Sequence, residues 1–179
     1  MSNGKLTPTS YLILGSVALL SRATPYELKR LVGFSIGHFW TFPHSQLYSE
    51  PERLAGMGLL EETREEGGRR RRVYSITEAG RHALGDWLAD ASGDPPELRD
   101  PGILKLFFGN FGSEGDVVRL AESQVRMYEE KAEQFRALAQ QFEGVTGIEY
   151  QMVTLRCGMA VNQACMEFWK QIAASPPGS

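Results

Sequence analysis

Two cysteines and three histidines are all that this 179-residue chain offers to thiol or soft-metal chemistry. Cys157 and Cys165 lie eight residues apart in a helical pattern, about 12 Å along one axis. A single straight helix cannot join them in a disulfide. They read as buried apolar thiols of a reducing compartment. His38, His44 and His82 share no ligand spacing with each other or with the cysteines, so no metal site is expected. Long hydrophobic runs are also missing. Tyr11–Leu20 is the longest candidate, well short of the roughly 20 residues of a membrane span. It lacks the charged start and cleavage site of a secretory signal. No membrane association and a cytoplasmic location are expected. No nucleophile has a nearby histidine, and no glycine-rich loop could cradle a phosphate. Neither an enzyme nor a cofactor is expected.

Positive charge in bulk is absent too. The net charge is −3. Residues 1–90 hold 11 Lys/Arg against 10 Asp/Glu, and residues 91–179 hold 8 against 12. Any affinity for nucleic acid must therefore come from a local patch.

Such a patch lies in residues 44–80. A helix is expected from about Pro43 or His44, with Leu47, Leu54 and Met57 on its inward face. Pro51 removes one backbone hydrogen bond and disfavours helical geometry at Glu50, predicting a kink or break. Gly58 is the expected left-handed stop. A strand, a Gly67-Gly68 turn, Arg69–Arg72 and a returning strand follow. A two-residue turn there pairs Glu66 with Arg69, Glu65 with Arg70, Arg64 with Arg71 and Thr63 with Arg72, and sets Leu59 opposite Ile76. Thr77 caps the next helix, which carries Ala79, Ala83, Leu84, Trp87 and Leu88. Upstream, one helix runs from Thr7 or Thr9 to Leu20. Another starts with the Thr24-Pro25-Glu27 capping box and ends at Gly33. A helix followed at once by a basic hairpin is the layout of a winged helix-turn-helix.

Residues 91–102, rich in proline and glycine, read as a linker. Beyond it come a short apolar helix at 103–111 and two long helices, one capped by Ser113 and running to about Glu143, the other from Ile148 to about Ala174. Both carry heptad seams. Val118, Val125, Tyr128, Phe135 and Phe142 lie on the first. Met152, Met159, Met166 and Trp169 lie on the second. The seams can cover each other as an antiparallel hairpin. The last helix has a further apolar side, with Val153, Cys157, Val161, Cys165 and Phe168. One partner helix cannot bury both sides, which calls for the first domain or a second copy of the chain. The seam residues are the expected dimerisation set.

The fold class is thus mainly α. A winged helix-turn-helix of three to four helices and a two-stranded β-wing (1–90) precedes the linker (91–102) and an all-α antiparallel helical dimerisation domain (103–179).

Phe39-Trp40, Ser45-Gln46-Leu47-Tyr48, Leu54 ahead of Gly58-Leu59-Leu60, the Tyr74–Thr77 junction and Trp87-Leu88 together resemble the PadR family of bacterial transcriptional regulators. The resemblance covers about residues 6–90, and the C-terminal half matches in layout only. It implies a homodimer on a palindromic operator, and repression relieved by a small aromatic or drug-like effector. It also implies a phosphate contact by Tyr48.

In a helix-turn-helix the start of the second helix faces base edges. That places His44, Ser45, Gln46, Tyr48 and Ser49 at DNA. Gln46 has the geometry to read adenine. Arg69, Arg70, Arg71 and Arg72 are the expected phosphate contacts, with Lys5 and Lys29 as weaker ones. Arg71 and Arg72, having no acid directly opposite in the expected pairing, are the more available. The competing reading is a winged helix for protein association, its arginine tip meeting an acidic partner. Trp87 and Trp169 are open to two readings, cavity lining or plain core.

Overall fold

A computed structural model describes residues 4–40, 43–64, 71–93 and 95–177. The chain divides into two compact units, Met1–Asp94 and Pro95–Ser179.

In the first unit, α1 (Pro8–Leu20) starts where Thr7 and Ser10 exchange backbone and side-chain hydrogen bonds and Pro8 occupies the first turn. Its Ile13, Leu14 and Val17 are fully buried. Strand β1 (Arg22–Ala23) is followed by α2 (Pro25–Phe34), opened by the expected Thr24–Glu27 capping box. The expected stop at Gly33 is corrected. The helix continues to Phe34, and the Ser35 hydroxyl then donates to the Leu31 carbonyl. A 3₁₀ turn, Ile36–His38, leads on toward α3 (Gln46–Gly56).

Helix α3 begins later than the sequence suggests. Gln46, Leu47 and Tyr48 donate their amides to Pro43, His44 and Ser45, a tighter three-residue spacing. It then runs without a break through Pro51, which is buried between Leu47 and Leu54. The apolar ring helps fill the core, and burying Leu47 and Leu54 contributes about 1.5–3 kcal/mol each. At the C-terminus Leu59 donates its amide to Leu54 and Gly58 to Ala55. Gly58 has φ +75°, so this is the left-handed stop read from the sequence.

Strands β2 (Leu60–Arg64) and β3 (Arg72–Ile76) pair antiparallel, and β1 joins on the far side of β3. The sheet therefore has a third strand beyond the expected two. The expected register is off by one residue. Leu60, not Leu59, faces Ile76; Thr63 faces Val73; Arg64 faces Arg72. The Glu65–Arg70 and Glu66–Arg69 pairs, and the Gly67-Gly68 turn, lie outside the described residues. Helix α4 (Glu78–Ala89) starts at Thr77, whose hydroxyl accepts from Gly80 N and donates to the carbonyls of Gly58 and Leu59. A Cβ on Gly80 would stand 2.1 Å from the Leu59 carbonyl oxygen, so only glycine lets α4 approach this closely.

In the second unit, Asp100 caps α5 (Pro101–Phe107) by accepting from Gly102 and Ile103. The linker thus ends two residues sooner than expected. A 3₁₀ turn, Gly109–Phe111, precedes α6 (Glu114–Gln141), and α7 (Glu149–Ala174) returns against α6. Gly144 and Gly147, at φ +75° and +84°, make the reversal. Phe135, Met166 and Trp169 are buried in the seam. Asn162 Nδ2 donates to the Tyr128 carbonyl at 2.9 Å, while its Oδ1 has no partner among the described residues. The Tyr128 phenol is raised above its ordinary pKa, chiefly by burial, then by Cys165 and Asp100.

Of the expected dimerisation set, Phe135, Met166 and Trp169 are taken up where α6 and α7 pack together. They are buried within one copy, and Trp169 is core. Val118, Val125, Tyr128, Phe142, Met152 and Met159 are half-buried there. The side that one chain leaves open holds Val153, Cys157, Val161 and Phe168.

Candidate nucleic-acid interface

Helix α3 buries Leu47, Pro51 and Leu54, so the opposite side faces outward by the helical period. That side is a stripe of Ser45, Tyr48, Ser49, Glu52 and Gly56, all exposed. Tyr48 is 53% accessible, so its ring is not taken up by the core. His44 is exposed just ahead of the helix and Gln46 is half-exposed at its first residue. The five residues expected at the helix start are thus brought together at one end of one element. Ser49 Oγ donates to the Ser45 carbonyl at 3.3 Å, and Ser45 makes no side-chain cap.

A polar clamp sets α3 on α1. Arg53 grips Glu50 through Nε (2.9 Å) and Nη2 (2.6 Å), and Nη2 also donates to Ser10 Oγ at 2.9 Å. Ser10 Oγ donates in turn to Glu50 Oε1 at 2.7 Å. Ser10 is fully buried, so this satisfied network fixes the helix rather than solvating it. The Arg53 hydrogen bonds, then Ser10, hold the Glu50 carboxyl below its ordinary range against the opposing effect of burial.

A second cluster joins α3 to the base of the hairpin. Arg72 Nη1 lies 2.8 Å from Glu52 Oε2, and its Nε lies 3.6 Å from Glu62 Oε1. Arg64 Nε reaches the same Glu62 oxygen at 3.4 Å, and the Tyr74 hydroxyl donates to Glu62 Oε2 at 3.2 Å. Hydrogen bonding with Tyr74, then with Glu52, raises the Arg72 guanidinium further above its ordinary value. As expected, no acid stands directly opposite Arg72, yet acids elsewhere pair with it. The one-residue shift in register sets it opposite Arg64, with Glu62 and Glu52 in reach. Arg71 is exposed and has no ion pair among the described residues. Arg69 and Arg70 lie outside the described residues.

Glu52 is the site residue that sequence reading missed. The signal was available, since Glu52 continues the Ser45, Tyr48, Ser49 stripe at helical spacing. Trp87 stacks on Tyr11 at 4.8 Å and 7° and joins α4 to α1; no cavity is needed to account for it. Among the described residues no acid, cysteine and histidine cluster could hold a metal, and no helix is long and apolar enough to cross a membrane.

The model of the PadR-like transcriptional regulator family matches residues 14–86, and that of the virulence activator alpha C-terminal region matches residues 98–175. Among curated proteins, the negative transcriptional regulator PadR of Bacillus subtilis is 27% identical over 123 residues, 68% of this chain and 67% of that protein. Among solved structures, B. subtilis PadR in complex with operator DNA superposes with a TM-score of 0.83 at 21% identity, covering 94% of this chain and 98% of that one. The same protein in complex with p-coumaric acid gives 0.75 at 20% identity, covering 95% and 97%. The order of helices and strands thus recurs, nearly end to end, in a known architecture. Residues 14–86 thus match the PadR-like family of transcriptional regulators, and the chain as a whole shares the fold of B. subtilis PadR.

Proposed function

We propose that this regulator binds duplex DNA as a homodimer and represses transcription from a palindromic operator. The observation that carries this reading is the outward stripe of α3 beside Arg64, Arg71 and Arg72, in a chain without general positive charge. His44, Ser45, Gln46, Tyr48 and Ser49 enter the major groove, Gln46 reading a base and Tyr48 meeting a phosphate. Arg71, with Arg69 and Arg70 on the same segment, meets the backbone. Residues 1–90 are the DNA-binding domain and 103–179 the dimerisation domain. The open apolar side of α7, with Val153, Val161 and Phe168, supports pairing with a second copy. The relative bound to p-coumaric acid supports a small aromatic effector that relieves repression. Such an effector acts by binding the DNA-incompetent dimer more tightly. The role is recognition, not catalysis, in the cytoplasm.

The test is titration of the full chain against the promoter region of its own gene at physiological salt, with sedimentation of the free protein. A saturable complex of two chains per site, with half-sites about 34 Å apart by footprinting, is the expected result. A protein monomeric at micromolar concentration, or one without saturable binding, overturns it. Binding to an acidic protein in place of DNA would assign the hairpin to protein association.

A further inference from the structure

Glu52 stands on the exposed stripe that would face the duplex, yet it carries the charge that DNA repels. Its side chain is 62% accessible, and its carboxylate takes the Arg72 guanidinium at 2.8 Å. Arg72 comes from the base of the hairpin, on the strand that leads from the arginine run. Glu62, itself bound by the Tyr74 hydroxyl, holds the same guanidinium through Nε. Arg72 is therefore ion-paired on both flanks while still 41% accessible, and the more exposed partner is Glu52. A phosphate that recruits Arg72 must first displace this carboxylate. Glu62 is only 22% accessible and is also bound by Arg64 and Tyr74, so it is not the one to yield.

We propose that Glu52 is an electrostatic restraint on DNA binding, acting by holding Arg72 against α3. This rests on the DNA-binding reading above. Non-specific affinity is almost wholly a matter of phosphates neutralised. A restraint on one cation lowers the grip on every duplex alike and leaves the ranking of sequences to α3. It suits a regulator whose wing carries four consecutive arginines, because unrestrained cations would hold it on random DNA.

The experiment measures binding of full-length wild type, Glu52→Gln, Arg72→Ala and the double variant to two duplexes of equal length. One carries the promoter region of the chain's own gene and the other a random sequence, each over a range of salt. Thermal melts confirm that each variant is folded. Glu52→Gln should bind both duplexes about three- to five-fold more tightly, the weight of one exposed ion pair. Its salt slope should steepen by about 0.9, one more phosphate contact. In the Arg72→Ala background the same change should have no effect. Unchanged or weaker binding by Glu52→Gln overturns the restraint. A gain that persists without Arg72 overturns it too, because Glu52 would then act by direct repulsion. A shift in the ratio between the duplexes assigns Glu52 to base reading instead. Wild type with no salt-dependent binding to either duplex removes the DNA-binding reading itself, a result distinct from all of these.

Discussion

Tyr11 and Trp87 lie face to face, ring centroids 4.8 Å apart and planes 7° from parallel. The pair joins the first helix of the winged unit to its last. Trp87 is nearly half-exposed, so its removal should cost less than a core truncation. Trp87→Ala should lower stability by about 1–3 kcal/mol in urea titration, through the lost stack and partial burial. A cost under about 0.5 kcal/mol would mean that α4 is held by its N-terminal contacts alone.

Gly80→Ala should be more severe than its size suggests. The added methyl meets a backbone oxygen and the Ile76 Cγ1, at 2.1 and 2.9 Å. Neither can rotate away at little cost. A loss of about 2 kcal/mol or more is expected in the same titration. Gly85→Ala is the control, because nothing lies within 4 Å of its Cβ position. It should be neutral or slightly stabilising.

Glu50 makes stability depend on acid. Its carboxyl is more acidic folded than at its ordinary value of 4.5, because Arg53 and Ser10 bind the charged form. Between the two values the unfolded chain holds more protons, so stability rises with pH there. The contribution is complete above about pH 4.5 and lost as pH falls through the depressed folded value. Glu50→Gln should be less stable than wild type at neutral pH, and the gap should narrow in acid. A constant gap from pH 7 to pH 3 would count against the clamp.

Gln46 and Arg71 should fail in different ways. Gln46→Ala should lower discrimination between operator and random duplex by about 1–3 kcal/mol. Arg71→Ala should weaken both complexes equally and flatten the salt dependence by about 0.9. Equal losses on both duplexes for Gln46→Ala would show that it does not read sequence.

Much of this was legible in the chain because capping chemistry is local. Thr24, Thr77 and Ser113 were each placed by a hydroxyl one residue before a helix, and each accepts the expected amide. The left-handed Gly58 was legible for the same reason. What failed was set across space. Strand β1 has two residues, too few for any alternation, and exists because Ala23 packs beside Tyr74. The hairpin register depended on a turn that glycines suggest without fixing its length. In either register no acid stands directly opposite Arg72, so pairing across the strands could not reveal its partners. Its partner on α3 was out of reach of any pairing rule within the hairpin, since Glu52 lies twenty residues away in sequence. The two seams were found correctly, but periodicity does not say which chain supplies the opposing helix.

The lone amide in that seam sets a rule for how the hairpin can change. Asn162 is pinned to the Tyr128 carbonyl, and the chain reverses at Gly144 and Gly147. The two arms between pin and reversal must therefore keep matched lengths. A residue gained in one arm alone would either break the amide contact or rotate the remaining seam outward. Variation in length belongs beyond the pin, where Lys170 meets Glu129 only in an exposed ion pair that is cheaper to give up.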